Sequence, residues 1–346
     1  MSNSIPVLSF LIAAVVALAL TPVARLASRR LGFLDAPGGR KTQAEPVALL
    51  GGVAVFVAVL TGLWVAGAPG LERDARHLTG VLAGGTMALV LGLVDDWFDL
   101  KAAPKLAGQI AIALVAVAFG LRVTLFIPLP AAQCVVTVLW LVTVMNALNF
   151  MDNMNGLCPG VGAICALIFG GIAVAHGQTL PAAIAAATAG ALLGFLPWNF
   201  PRARIFLGDG GSHLVGFLLG ALALLPHYYL ICDPSPTVLP VLIPLIVLSL
   251  PLFDLVAVMW QRWRRGAPVY IGDTNHISHR FVRLGLSRVA AVWVLYVLTS
   301  VLGVGALVLL WAPPWVAALV VVQTLGVLAV VTALQHFGAK QKSVPH

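Results

Sequence analysis

The sequence predicts an all-α polytopic membrane protein, a bundle of about eleven transmembrane helices (ten or eleven) forming one integral membrane domain over residues 1–346. Composition is the first reason. Of the 346 residues, 60% are hydrophobic and 9% are charged, whereas about 25% are charged in an average soluble domain. The second reason is that the apolar residues form runs of about 20, the length that crosses a bilayer as a helix. A soluble globular protein is therefore excluded.

Apolar runs bounded by charges, Gly-Pro breaks or polar clusters define the individual helices. The predicted helices are 4–23, 48–68, 78–94, 104–121, 131–150, 156–176, 179–196, 211–230, 237–260, 287–311 and 314–337. Very short turns separate 156–176 from 179–196 and 287–311 from 314–337. Merging or splitting helices at these turns changes the number of spans by one. We expect the first helix to be retained rather than cleaved, because its basic residues follow the apolar run instead of preceding it.

The distribution of charge predicts the orientation. If the connections alternate between the two sides, Arg73, Arg76 and Arg122 are the only basic residues on one side, which leaves 20 − 3 = 17 on the other. The positive-inside rule then places the amino terminus outside and the carboxyl terminus in the cytoplasm. All acidic residues except Glu72, Asp74 and Asp233 also fall on the cytoplasmic side. A transporter would more often hold its ionisable groups near the middle of the bilayer.

The third helix ends in the acidic segment LGLVDDWFDL. Asp99 lies four residues after Asp95 and three after Asp96, so the three carboxylates can border one pocket. Carboxylates brought together in this way repel each other unless a proton or a cation neutralises them, and their hard oxygen atoms favour Mg²⁺ or Mn²⁺. The pattern favours a metal or acid-base site, and an exposed acidic helix end is the alternative.

A polar stripe marks the end of the fifth helix, in the segment MNALNFMDNMNGL. Asn146, Asn149 and Asp152 recur at intervals of three, and Asn153 follows. Such side chains are costly in an apolar helix unless they face a hydrated cavity or polar partners. The stripe therefore indicates a site, with hydrogen bonding between helices as the alternative.

A glycine-rich segment, GDGGS, precedes the eighth helix. Asp209 is flanked by glycines that allow close approach of the backbone, and Ser212 is expected to cap the helix that follows. A capped helix start directs free amide groups toward phosphate oxygens. Alone, the segment is equally typical of an ordinary turn.

The longest cytoplasmic connection carries His276, His279 and Arg280, which can share one face of a helix. Two imidazoles and a guanidinium suit a phosphate or pyrophosphate. A zinc site would need further His or Cys ligands, which this loop lacks. The alternative is a solvated basic loop attracted to anionic lipid.

Two more residues are expected at the same surface. Lys41 lies in the first cytoplasmic loop, and Asp254 lies within the ninth predicted helix, shortly after Pro251. The proline can break that helix and let Asp254 face a cavity. Pairing of Asp254 with Arg262 or another nearby cation is an equal alternative.

Taken in order, these patterns resemble the polyprenyl-phosphate N-acetylhexosamine-1-phosphate transferase family of glycosyltransferases. The resemblance runs from about residue 24 to 290, and it rests on DDxxD from Asp95, NxxNxxD from Asn146, GDxGS from Gly208 and HxxHR from His276. Smaller matching pieces are Arg40–Lys41 followed by Gly51–Gly52, the KLxxQ segment from Lys105 to Gln109, and the intramembrane Asp254.

The family implies transfer of a sugar-1-phosphate from a UDP-sugar to a membrane polyprenyl (undecaprenyl) phosphate, with release of UMP and a need for Mg²⁺ or Mn²⁺. A nucleic-acid partner is not expected, and a homodimer is allowed. The expected location is the inner (cytoplasmic) membrane, with the active site on the cytoplasmic face. The resemblance implies roles for the residues at the matching positions. The implied catalytic residues are Asp95, Asp96 and Asp152, and the implied metal ligands are Asp96, Asp209 and Asp152. The implied substrate-binding residues are Lys41, Asn149, Ser212, His276, His279 and Arg280.

This chain departs from the family pattern at four positions. Asn153 and Asn155 replace a glycine and an acid, Ser278 replaces a histidine, and Gln43 replaces another histidine. The late loop lacks the three consecutive histidines of the peptidoglycan branch, which transfers phospho-MurNAc-pentapeptide. The chain is more similar to the branch that uses a UDP-N-acetylhexosamine to begin O-antigen (lipopolysaccharide), teichoic acid or related polysaccharides. The alternatives left open are the peptidoglycan enzyme, an ion-coupled transporter and an inactive scaffold.

Overall fold

The structure, a computed structural model, describes residues 4–35, 45–65, 74–123, 127–225, 239–266 and 275–341. Within these ranges the chain is almost entirely helical. The helices are α1 (Ser4–Arg30), α2 (Gly51–Val65), α3 (Ala75–Phe98), α4 (Ala102–Ala118), α5 (Pro130–Met151), α6 (Leu157–Ala175), α7 (Thr179–Asn199), α8 (Gly208–Leu222), α9 (Ile243–Val247), α10 (Ser249–Arg264), α11 (Ile277–Arg283), α12 (Arg288–Leu307) and α13 (Pro314–Gln341). Two short antiparallel strands, β1 (Leu34–Asp35) and β2 (Val47–Ala48), are the exception to the all-α prediction.

Each of the eleven predicted helices overlaps an observed helix, and the prediction 237–260 overlaps two, α9 and α10. In the described part of the chain, seven helices are long and apolar enough to cross a membrane, namely α1, α3, α5, α6, α7, α12 and α13. Helices α2 and α4 are apolar but shorter. The chain is therefore a multi-pass membrane protein, while the exact number of spans and their orientation stay predictions.

The chain divides into two compact units, Met1–Pro226 and His227–His346; the single integral domain stays a prediction. In the first unit, α7 packs against α1 and α6. Small residues allow this approach, because a Cβ atom on Gly190 would lie 2.2 Å from the carbonyl oxygen of Phe10, and one on Gly194 would lie 2.2 Å from that of Ala14. Close contact between small residues is how helices associate in lipid, where water provides no hydrophobic driving force between them.

Helix α8 is the central helix of the first unit, and every residue of it except Asp209 is buried. It packs against α2, α3, α5 and α6. Its start is fixed by the backbone N–H groups of Gly51 and Gly52, which donate to the carbonyl oxygens of Phe206 and Leu207 at 3.2 and 2.9 Å. This packing brings the GDGGS segment to the carboxyl ends of α3 and α5.

In the second unit, the predicted helix 237–260 is interrupted. Helix α9 ends at Val247 and α10 begins at Ser249, so the interruption lies at Leu248. Pro251 falls in the first turn of α10, where a missing N–H costs no hydrogen bond of the helix. The interruption therefore lies three residues before Pro251, and the proline itself lies within α10. Helix α12 packs against α9, α10, α11 and α13.

Candidate active site

A partly buried lysine joins two carboxylates where α3, α4 and α8 meet. The Nζ atom of Lys105 lies 2.5 Å from Oδ2 of Asp95 and 3.0 Å from Oδ2 of Asp209. The side chain of Asp95 is 6% exposed, and that of Asp209 is 36% exposed. Because the ammonium lies between the two acids, it neutralises their repulsion and holds both at one place.

Asp96 fixes the start of α8 from a different helix. Its Oδ1 atom accepts the N–H of Asp209 at 3.0 Å, and its Oδ2 atom accepts the N–H of Gly210 at 3.1 Å. A carboxylate at a helix N-terminus satisfies free donors and interacts favourably with the helix dipole. Asp96 therefore performs the capping that the sequence assigned to Ser212.

The prediction that Ser212 caps α8 is wrong, because the helix begins at Gly208 and Ser212 lies inside it. Its hydroxyl group donates to the carbonyl oxygen of Asp209 at 3.3 Å and accepts the side-chain amide of Asn149 at 3.0 Å. The same Asn149 amide donates to Oδ1 of Asp209 at 2.8 Å. Asn149 thus holds the Asp209 carboxylate, while Ser212 contacts the backbone carbonyl of Asp209 and orients the Asn149 amide.

Asp152 lies just beyond the end of α5. Burial raises the pKa of Asp152 well above its ordinary value, and the negative charges of Asp209 and Asp96 raise this pKa further. These two acids therefore act on Asp152 electrostatically, and its role as a catalytic residue and metal ligand stays a prediction. A carboxyl group in such an environment holds a proton more readily than an ordinary aspartate.

A buried chain of hydrogen bonds supports the cluster from within the helices. Asn146 donates to Oε1 of Gln109 at 2.8 Å, and Nε2 of Gln109 lies 3.0 Å from Nε2 of His213. The Nδ1 atom of His213 lies 2.8 Å from the carbonyl oxygen of Asp209. Asn146 therefore makes the contact between helices that was the alternative for the polar stripe, whereas Asn149 faces the site.

Sequence reasoning gave no role to His213 and treated Lys105 only as part of a matching piece. Lys105 could have been found from its position, since a charged residue in an apolar helix calls for a partner. No comparable signal marks His213, which directly follows Ser212 in the glycine-rich segment.

Of the residues predicted for this region, one lies outside the cluster and one lies outside the described residues. Asp99 is exposed and ends α3 with a left-handed backbone, φ 50°. The contacts described for Asp95, Asp96 and Asp209 do not include its side chain, so the expected three-carboxylate pocket at the end of α3 contains only two of its members. Lys41, together with Gln43, lies outside the described residues.

The second unit holds a separate group of candidate residues. The rings of His276 and His279 are adjacent, with their centroids 6.4 Å apart. Asp254 is fully buried, and its Oδ2 atom lies 2.7 Å from Nδ1 of His276. Of the two alternatives for Asp254, the structure favours pairing, with His276 as the partner.

Arg280 borders a cavity of about 690 Å³ in the same unit. Four arginines line it, together with polar residues such as Asn275 and Gln335; the arginines are Arg264, Arg265, Arg280 and Arg283. The Nη1 atom of Arg280 donates to Oε1 of Gln335 at 3.3 Å, and its Nε atom donates to the carbonyl oxygen of Asn275 at 2.7 Å. Guanidinium groups gathered around a cavity suit a phosphate-bearing ligand.

The donor atoms of the first unit fit a hard divalent cation. Mg²⁺ and Mn²⁺ are bound by carboxylate and carbonyl oxygens, which Asp95, Asp209 and Asn149 supply. Over the ranges that the structure describes, no group of three His, Cys, Asp or Glu side chains lies close enough to hold a metal ion. The Lys105 ammonium lies where a cation between Asp95 and Asp209 would bind, so an ion and this lysine would share the same oxygens.

Fold and site together define a class, a multi-pass membrane protein with a carboxylate-lysine cluster at converging helix ends. The family model of glycosyl transferase family 4 matches residues 78–227, the stretch that contains every residue of that cluster. A probable undecaprenyl-phosphate N-acetylglucosaminyl 1-phosphate transferase of Bacillus subtilis is 30% identical over 91% of this chain and 88% of its own length.

Two further relatives carry related names. A decaprenyl-phosphate N-acetylglucosaminephosphotransferase of Mycobacterium tuberculosis is 32% identical over 94% of this chain and 87% of its own length. An undecaprenyl-phosphate alpha-N-acetylglucosaminyl 1-phosphate transferase of Escherichia coli is 26% identical over 85% of this chain and 82% of its own length. The chain belongs to glycosyl transferase family 4, in the group of polyprenyl-phosphate N-acetylglucosamine-1-phosphate transferases. The resemblance inferred from the four motifs is confirmed.

Proposed function

We propose that this protein transfers an N-acetylhexosamine-1-phosphate, N-acetylglucosamine-1-phosphate first among them, from a UDP-sugar to a polyprenyl phosphate such as undecaprenyl phosphate. The names of its relatives support this reaction. The structural observation that carries it is the ammonium of Lys105 between the carboxylates of Asp95 and Asp209. The lipid product would serve the synthesis of a cell-envelope polysaccharide.

The reaction exchanges one phosphoanhydride bond for another. An oxygen of the polyprenyl phosphate attacks the phosphorus that carries the sugar, and the bond from this phosphorus to the bridging oxygen breaks. The bridging oxygen and its electron pair leave with UMP, and the lipid keeps the sugar on a new diphosphate. Both reactants are anions, so the site must bring them together against their repulsion and stabilise the leaving UMP.

The residues of the first unit suit these tasks. The Lys105 ammonium supplies a fixed positive charge, and Asp95 or Asp96 can accept a proton from the polyprenyl phosphate. Asn149 keeps the Asp209 carboxylate in place, and Ser212 orients the Asn149 amide. A bound Mg²⁺ would neutralise the diphosphate and the departing UMP. Asp209 is the ligand common to the predicted set, with Asp96 and Asp152, and to the pair that Lys105 contacts, Asp95 and Asp209.

The basic residues of the second unit suit the phosphates of the substrates. His276, His279 and Arg280 can donate hydrogen bonds to phosphate oxygens, and Lys41 remains the candidate for the lipid phosphate. The excess of basic residues in one set of connections supports a cytoplasmic active site in the inner membrane.

The competing functions are less well supported. For a peptidoglycan-branch transferase, the late loop lacks the three consecutive histidines, and the relatives are named for transfer of N-acetylglucosaminyl 1-phosphate. An ion-coupled transporter needs ionisable groups along a path to both faces, whereas the described cluster gathers at the end of α3 and the start of α8. The substituted positions Gln43, Asn153, Asn155 and Ser278 are the basis for an inactive scaffold.

The test is UMP release by the purified protein in detergent, given undecaprenyl phosphate, Mg²⁺ and a panel of UDP-sugars. We expect UMP only when both substrates are present, and its loss in Asp95→Asn, Asp96→Asn and Asp209→Asn. Asp99→Asn is the matched control, because this acid is exposed outside the cluster and asparagine tolerates its left-handed backbone. Folded protein that releases no UMP from any donor would overturn the proposal.

A further inference from the structure

The carboxylate of Asp254 has both of its oxygens engaged at the start of α11. Its Oδ2 atom lies 2.7 Å from Nδ1 of His276, and its Oδ1 atom accepts the backbone N–H of Ile277 at 2.7 Å. Asp254 is 0% exposed and His276 is 5% exposed. Burial of a carboxylate is costly unless hydrogen bonds compensate it, and here two neighbouring residues of one short segment provide them.

We infer that Asp254 is a positioning residue, which fixes the ring orientation and the tautomer of His276 for the phosphate chemistry. This inference rests on the proposed function for its activity readout. A carboxylate oxygen accepts hydrogen bonds, so the contact places the imidazole proton on Nδ1. The Nε2 atom then points away from Asp254 and carries the lone pair. With the carboxylate behind it, this nitrogen can take up a proton and donate to a phosphate oxygen while Nδ1–H keeps its partner.

A purely structural role is the competing explanation, because the Ile277 hydrogen bond also anchors α11. Asp254→Asn separates the two roles. The oxygen of the asparagine can still accept the Ile277 N–H, while its amide group now donates toward Nδ1. Nδ1 must then act as acceptor, and the proton moves to Nε2. The anchor of α11 is kept and the tautomer of His276 is reversed.

The experiment is a double-mutant cycle on UMP release with Asp254→Asn and His276→Asn. The second variant keeps an amide donor near the position of Nδ1 but removes Nε2. Replacement of the carboxylate that orients a catalytic histidine lowers the reaction rate by about tenfold to about 10⁴-fold. We therefore expect Asp254→Asn to lower kcat/KM within this range. If Asp254 acts through His276, the double variant loses no more activity than His276→Asn alone.

Asp74→Asn is the matched control, since Asp74 pairs with His77 at 3.9 Å in a half-exposed pair of the same residue types. It should leave UMP release unchanged. Full activity of Asp254→Asn, or a double variant whose loss equals the product of the two single losses, would overturn the inference.

A second readout does not depend on activity. Nitrogen-15 NMR of labelled histidine reports which ring nitrogen carries the proton, and His276→Asn identifies the signal. We expect Nδ1–H in the wild type and Nε2–H in Asp254→Asn. An Nε2–H signal in the wild type would refute the positioning role. A wild type that releases no UMP but shows the expected tautomers would instead refute the proposed function.

Discussion

The ammonium of Lys105 lies 2.5 Å from the carboxylate of Asp95, and this pair joins the start of α4 to the end of α3. The same ammonium reaches Asp209 on α8, 104 residues further along the chain, so one side chain connects two consecutive helices to a distant third. A positive charge at this junction permits two acids to approach each other before any substrate or ion binds. The stability of the junction and its chemistry therefore depend on the same contacts.

Replacement of Lys105 should destabilise the first unit. In Lys105→Met, the two carboxylates face each other without compensation, and loss of one partner of a buried ion pair costs about 3–5 kcal/mol. Because Lys105 is 20% and Asp209 36% exposed, solvent reduces this to about 1–3 kcal/mol. Thermal unfolding in detergent measures the change. Lys101→Met, on the exposed residue before α4, is the control, and equal melting temperatures for the two variants would contradict the prediction.

Removal of Lys105 should also increase the stabilisation by Mg²⁺. If the ion and the ammonium share the oxygens of Asp95 and Asp209, the variant without the ammonium gains more from binding the ion than the wild type does. The measurement is the melting temperature of wild type and Lys105→Met, each with Mg²⁺ and with a chelator. A cation at this position would be contradicted if Mg²⁺ raised the melting temperature of neither protein, or raised that of the wild type more. Asp209→Asn in the Lys105→Met background should abolish the extra shift.

A glycine on α3 sets how closely α8 can approach. A Cβ atom on Gly92 would lie 2.2 Å from the carbonyl oxygen of Asp209, so Gly92→Ala must push the start of α8 away. Overpacking of this kind costs about 1–3 kcal/mol, and UMP release should fall with it. Gly85→Ala on the same helix is the control, since its nearest neighbour is Leu214 Cδ1 at 3.4 Å. That variant should be neutral or stabilised by up to about 1 kcal/mol. Similar losses in both variants would refute the packing argument.

The helices were predictable because a membrane span has a fixed length and a simple composition. The predicted run 131–150 corresponds to α5, Pro130–Met151, almost residue for residue. The start of α8 was predicted less well, because it is set by Asp96 on another helix and by the glycines of α2. A capping pattern read from neighbouring residues cannot show a cap supplied from 113 residues away.

Within the site, the sequence identified residue types better than partners. The carboxylates Asp95, Asp96 and Asp209 were expected together, and the structure brings them together. Asp99 was expected with them on the assumption of a continuing helix, but α3 ends at Phe98. The pairing of Asp254 with His276 could not be predicted, because a long connection separates the two residues. Sequence spacing predicts contacts only between residues of the same helix.

The hydrogen bond between Gln109 and Asn146 should couple α4 to α5. Asn146 donates to Gln109 at 2.8 Å, and Gln109 in turn contacts the buried His213. Side-chain hydrogen bonds within membranes contribute about 0.6 kcal/mol on average and up to about 1.7 kcal/mol. A double-mutant cycle with Gln109→Leu and Asn146→Leu, followed by unfolding in detergent, should give a coupling energy in this range. Strictly additive effects would show that the two side chains do not support each other.

Protonation of His279 should weaken the second unit at acidic pH. Burial lowers the pKa of His279 below its ordinary 6.5; repulsion from His276, when that ring is protonated, and from Arg288 and Arg283 lowers this pKa further against the opposing effect of Asp254. The unfolded chain therefore binds this proton at a higher pH than the folded chain, so the free energy of unfolding decreases as pH falls below about 6.5. Below this pH, the free energy of unfolding of the wild type should fall by up to about 1.4 kcal/mol per pH unit relative to that of His279→Gln. Above pH 7.5 the two proteins should show no such difference. Parallel stability curves for the two proteins between pH 7.5 and 5.5 would contradict this assignment.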